Sequence, residues 1–205
     1  MSTRERLRWG WLGFVGLAYG ALLLWYGGFG PAIQPAEGKV FLERVKASPS
    51  AAGHPEILPL LEAMIARDDG REFYMLNLEQ LAAGPAARKA DMAYARVVLP
   101  ALLKHGSLPV YVGRVQGQLI GNNPTAFNRA ALVRYRSLRD FMVIFTDPAM
   151  SAGVGDKFAS LTYTEARATT PVISLLAIQL AAAGLFGGIG LAGWVLLRNP
   201  RPRVS

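Results

Sequence analysis

Two long uncharged runs bracket this chain: Trp9–Phe29, of 21 residues, and Pro171–Leu197, of 27. About 20 apolar residues suffice to cross a ~30 Å hydrocarbon core, so each run reads as a transmembrane helix. Arg4, Arg6 and Arg8 precede the first run, and Arg198, Arg201 and Arg203 follow the second. Flanking arginine marks the cytoplasmic side. The pattern therefore predicts a two-pass protein of the bacterial inner (plasma) membrane, with both termini cytoplasmic and the middle of the chain periplasmic. The expected parts are a basic tail (1–8), a transmembrane helix (9–29), a helical lead-in (31–70), an α/β domain (71–170), a second transmembrane helix (171–197) and a basic tail (198–205). The first run is too long for the apolar core of a cleavable signal peptide, and no small-x-small site follows it before Pro31. Trp9, Trp11, Trp25, Tyr26 and Trp194 stand near the run ends, where amphipathic rings favour a membrane interface.

The net charge of +8 is mostly a property of the tails, which hold six Arg against one Glu. Residues 31–170 carry 16 Lys and Arg against 13 Asp and Glu, too even a balance for a nucleic-acid-binding surface. The expected partners are the lipid bilayer and a second copy or another member of a membrane complex. The chain has no cysteine, which excludes disulfides, thiolate metal sites and a cysteine nucleophile. No HExxH, paired-His or carboxylate cluster offers a metal site. Neither a G-x-S-x-G element nor a P-loop is present. No metal and no cofactor are expected, and no catalytic residue can be named.

Glycine punctuates both apolar runs. Gly16-x-x-x-Gly20 and Gly184-x-x-x-Gly188 are small-xxx-small patterns that let helix backbones approach closely. They mark a packed helix pair, or else the ordinary frequency of glycine in membrane helices. Gly188-Ile-Gly190-Leu-Ala-Gly193 matches a dinucleotide fingerprint in letters only, because it lies inside an apolar run instead of between a strand and a helix.

Between the runs, hydrophobic periodicity gives a legible order of elements. Ala36–Ala47 and Glu56–Asp68 read as amphipathic helices, the second with Ile57, Leu60, Leu61, Met64 and Ile65 in one stripe. Glu72–Glu79 is a strand, Ala86–Lys104 a helix kinked at Pro100, Leu108–Gln118 a second strand and Arg129–Arg136 a third. Ser137-Leu-Arg-Asp140 is a capping box opening a helix through Phe145. Asp147-Pro148 starts another helix, and Leu161–Arg167 alternates as a fourth strand. The order β-α-β-β-α-β is that of an α+β, ferredoxin-like fold. Helices cover one face of such a sheet, and the other needs a cover. A second copy supplies one in a homodimer; the Ile57–Ile65 helix supplies one within the chain.

The segments FYMLNL, VVLPALLKHG, VYVGRVQGQLIG and ALVRYRSLRDFMVIFTDPAM resemble, in this order, small bacterial DUF-type proteins of the dimeric α/β-barrel superfamily. The resemblance covers about Arg71–Pro171. It implies two ferredoxin-like units packed sheet against sheet around a pocket. The superfamily includes cofactor-free monooxygenases, lactone isomerases and haem-binding enzymes, so the resemblance implies fold and dimerisation much more than chemistry.

Candidate ligand-binding residues are the polar groups that interrupt apolar segments: Asn77, Arg114 and Arg134 on strands, Tyr94 on a helix and His105 at a helix end. Converging in one cavity, they would suit a small anionic or carbonyl-bearing molecule. On a solvated rim they would instead spread arginine stems over apolar surface, and His105 would be a helix-terminal cap. The expected function is an interaction or accessory module of a membrane assembly with a small-ligand pocket. The alternative is a cofactor-independent oxygenase or isomerase acting on a lipophilic small molecule.

Overall fold

The computed structural model describes residues 3–27, 30–48, 51, 53–121 and 126–172, together with helical positions scattered between 180 and 195. Met1–Thr170 forms one compact unit and Pro171–Ser205 another. The first unit holds helices α1 (Thr3–Tyr26), α2 (Pro35–Lys46), α3 (Ile57–Ala66), α4 (Pro85–Lys104), α5 (Leu138–Phe145) and α6 (Pro148–Ala159). Its strands are β1 (Phe73–Leu81), β2 (Leu108–Arg114), β3 (Arg129–Tyr135) and β4 (Leu161–Thr169). They form one antiparallel sheet in the order β2-β3-β1-β4. The fold is α+β and ferredoxin-like.

Local chemistry sets the helix ends. Ser137 Oγ accepts the Asp140 amide at the start of α5, and Asp147 accepts the Ala149 amide ahead of Pro148 in α6. Side chains alternate across the strands, so Phe73 and Met75 share a face with Val133 and Tyr135. This inner face meets the helices. Phe73 stacks on Tyr135 at 5.3 Å, and Phe141 of α5 meets Tyr135 edge-on at 4.9 Å. Met142, Ile144, Leu102 and Met150 complete the core.

The lead-in belongs to the same core. Ile33, Phe41, Val45 and Leu61 pack into the cluster formed by α5 and the inner sheet face. A Cβ at Gly38 would stand 2.8 Å from Ile65 Cγ2, so glycine lets α2 lie close on α3. Arg139 of α5 reaches Glu37 at 2.8 Å and the Ala32 carbonyl at 3.2 Å, while Asp68 accepts the Ile33 amide at 2.7 Å. The α3 helix therefore lies on the helical side. It does not cover the outer face of the sheet, as one reading of its apolar stripe suggested.

The membrane topology is corrected. Among the described residues no helix is long and apolar enough to cross a membrane. Trp9–Tyr26 of the first run lies in α1, a 24-residue helix that begins at Thr3 and so includes Arg4, Glu5, Arg6 and Arg8. Four glycines and several polar-tipped aromatics further dilute its apolar stretch. The two-pass placement in an inner membrane, with cytoplasmic termini and a periplasmic middle, is overturned with it, and a lipid partner has no support. The run Pro171–Leu197 falls largely outside the described residues. The last turn of α1 is bonded to the rest of the unit through Trp25 and Tyr26.

Met142 has no exposed surface. Met142→Ala is expected to cost about 2–5 kcal/mol through lost contacts and a cavity, measured as a shift in the denaturant midpoint with unchanged slope.

Candidate functional site

Register decides which polar side chains meet. On the outer face Arg134 stands opposite Tyr74 on β1 and Leu108 on β2. Unbroken alternation along β2 would put Arg114 on the side of Leu108. The pairing instead slips by one residue between Pro109 and Tyr111, leaving Val110 as the extra residue of a bulge. After the slip Arg114 is opposite Arg129, on the inner side. Arg114 and Arg134 therefore lie on opposite faces of the sheet and share no cavity.

The other candidates occupy separate places. Asn77 is buried on the inner face opposite Ala131 and Ala166, and its amide donates to the Met75 carbonyl at 3.2 Å. Tyr94 packs against the core from α4, with Lys157 Nζ 5.6 Å from its ring centre. His105 caps the C-terminal end of α4, its Nδ1 3.5 Å from Asp140 Oδ1. Arg114 is exposed at the end of β2. The five residues do not form one site. At Gly16, Gly20 and Gly188 a Cβ would meet nothing within 4 Å, and Gly184 is a helical position of the second unit.

Arg134 is fully buried, and its partners account for it. Its Nε pairs with Glu72, Nη1 donates to the Gly106 carbonyl at 3.1 Å and Nη2 donates to the Tyr26 carbonyl at 2.6 Å. The guanidinium carbon lies 3.6 Å from the centre of the Tyr26 ring, a stacked cation–π contact. Burial pushes the Tyr26 hydroxyl up, and the Arg134 charge only partly offsets this. Trp25 Nε1 adds a 2.9 Å bond to the Leu103 carbonyl. Gly106 sits at φ +62° with the Trp25 carbonyl where a Cβ would be, 2.1 Å away. Glycine thus gives both the turn and the clearance for α1 to dock.

Two further clusters escaped the sequence reading. Arg136 grips Asp140 with two 2.8 Å bonds while Ser137 Oγ donates to the same carboxylate at 2.6 Å. Burial raises the Asp140 pKa, but the bonds from Arg136 and Ser137 outweigh it and hold the carboxyl below its usual value. On the inner face Arg129 bridges Glu79 and Asp91. The signal for both was charge alternating with aromatic or apolar residues along Arg129–Arg136, a pattern that fits a ligand pocket equally well.

What remains is surface. Within the first unit, and among its described residues, the outer sheet face carries half-buried Leu76, Leu78 and Leu132 and exposed Tyr111 and Tyr163. Tyr111 lies across Gly113, and a Cβ there would be 2.1 Å from the phenol oxygen. Among the described residues two shallow grooves run along α2 and between α2 and α3, and none of the five candidates lines either.

No family model and no curated protein matches the chain. Among solved structures it is similar to a protein of unknown function from Rhodopseudomonas palustris, at 24% identity and TM-score 0.51, over 57% of this chain and 94% of that one. A dimeric ferredoxin-like protein of unknown function from Thermobifida fusca superposes at 15% identity and TM-score 0.36, over 49% and 91%. A cofactor-independent oxygenase from Streptomyces nogalater does so at 12% identity and TM-score 0.38, over 51% and 96%. The first of these likenesses shows a shared fold.

Two outcomes are expected. Glu72→Ala leaves Arg134 without its counter-charge and should cost about 3–5 kcal/mol in chemical denaturation; Arg134→Lys should also destabilise, since an ammonium cannot reproduce the planar fork. Because the Asp140 pKa is lowered in the folded state, its contribution is present above the unfolded carboxyl pKa and is lost as pH falls through the folded value. Asp140→Asn should flatten that acid limb of the stability–pH curve.

Proposed function

We propose that this protein is a homodimeric interaction module whose outer sheet face is the recognition surface. The observation that carries the reading is that face: three half-buried leucines and two exposed tyrosines, beside the place where α1 seats on Arg134. Apolar area left in water costs ~25 cal/mol per Å². Large aromatic groups of this kind also anchor protein contacts, because they bring much area at little conformational cost. A second copy stacked face to face covers Leu76, Leu78, Leu132, Tyr111 and Tyr163 in one step.

A binding role also fits the side-chain chemistry better than an acid–base one. Asn77, Tyr94, His105, Arg114 and Arg134 are dispersed, and Arg134 is fully engaged. In a face-to-face pair, a small apolar molecule would lie between the sheets among leucine and tyrosine side chains. That ligand role is secondary to assembly.

Light scattering after size exclusion should give twice the chain mass for the full chain at micromolar concentration. Tyr111→Asp/Leu132→Asp places charge on the face and should give monomers with unchanged circular dichroism. A native chain that runs as a monomer would sink the proposal.

A further inference from the structure

The two edges of the sheet are treated differently. On β2, Pro109 removes a backbone donor and the bulge at Val110 disturbs the ladder. The β4 edge has no proline, and its register shift against β1 falls at its start, where Thr162 is the extra residue. It runs nine residues without proline, glycine or lysine, and its register with β1 is unbroken from Tyr163 to Thr169. Among the described residues no backbone hydrogen bond leaves β4 on its outer side. The regularly paired stretch from Tyr163 to Thr169 offers a row of N–H and C=O groups on its open side, the surface that takes another strand.

The charges on β4 specify which strand. Glu165 and Arg167 are its charged residues, two apart and therefore on one side of the sheet. They pair with each other at 2.9 Å, yet the Arg167 side chain stays 69% exposed. Suppose a second β4 is added antiparallel about a two-fold axis normal to the sheet. Opposed residues must then share a face, so the axis passes through a residue position. Centred on Glu165 the pairing sets carboxylate against carboxylate, and centred on Arg167 it sets arginine against arginine, both unfavourable. Centred on Ala166, Glu165 of each copy faces Arg167 of the other. Thr164 then faces Ala168, and Tyr163 faces Thr169. The residues on the helix side are small, leaving room for the second backbone.

We propose that β4 is a self-recognition edge: two copies join β4 to β4, antiparallel and centred on Ala166, turning two four-stranded sheets into one of eight strands. This contact uses the edge of the sheet and is independent of the face-to-face pairing proposed above. Both contacts are two-fold and self-complementary.

The cysteine-free chain makes the test clean. Directly opposed Cα atoms in an antiparallel pair are ~4.5–5.5 Å apart, within the span of a disulfide. Under mild oxidation the full-length Ala166→Cys variant should form covalent dimers. Ala168→Cys, whose counterpart would stand ~13 Å away along the ladder, should not. Glu165→Arg or Arg167→Glu in the Ala166→Cys background should lower the yield roughly tenfold, and the double exchange should restore it. Cross-linking at 166 that survives Tyr111→Asp/Leu132→Asp supports the edge whatever happens to the face. Equal yields at 166 and 168, or yields unmoved by either single reversal, overturn it.

Discussion

A fully buried arginine on the outer side of the sheet holds this unit together. Moving a guanidinium out of water is costly, and the cost is tolerable only with a counter-charge and acceptors for its donors. Arg134 meets that condition by drawing on four parts of the chain: Glu72 ahead of β1, Gly106 in the turn between α4 and β2, Tyr26 at the end of α1, and its own strand. None of these can move without exposing or orphaning the charge. The direction in which α1 leaves the sheet, the positive-φ turn at Gly106 and the start of β1 are therefore parts of one constraint.

Strand alternation extends that constraint into the helical layer. Tyr135, between two arginines, points the other way and enters the aromatic cluster with Phe73 and Phe141. Arg136, back on the side of Arg134, binds Asp140 and so fixes the first turn of α5, whose other residues fill the core. Three consecutive residues thus connect the seat of α1, the core and a helix cap. The Glu79–Arg129–Asp91 bridge does the same at the opposite end of β3, joining the sheet to α4.

The order of elements was legible because it depends on periods that sequence displays directly. Strand alternation, helical stripes, Asp147-Pro148 and the Ser137 cap place the elements from α2 to β4 within a few residues of their bounds. The candidate site was not legible because it depends on register. One extra residue at Val110 inverts the facing of the rest of β2 and sends Arg114 away from Arg134, and no local pattern in Leu-Pro-Val-Tyr-Val announces it. Arg134 was misread for a related reason. A polar residue within an apolar strand signals burial with a partner, and the partners came from residues 28 to 108 positions away. The apolar run beginning at Trp9 was legible as a helix, but among the described residues that helix is not long and apolar enough to cross a membrane.

These pairings also bear on where this protein has binding capacity left. For Arg134 to hold an anionic ligand, the ligand would have to displace the Tyr26 carbonyl and compete with Glu72, and the released groups would then need new partners. The guanidinium of Arg129 is likewise divided between two carboxylates. By contrast, among the described residues the outer face and the β4 edge carry few polar ties, chiefly the exposed Glu165–Arg167 pair and a 3.4 Å bond from the Tyr163 hydroxyl to Glu165, and the proposed edge pairing would re-form the first between copies. Under the proposed reading the least costly new contact is therefore with another sheet, and that ordering of costs is what supports assembly over chemistry as the proposed role.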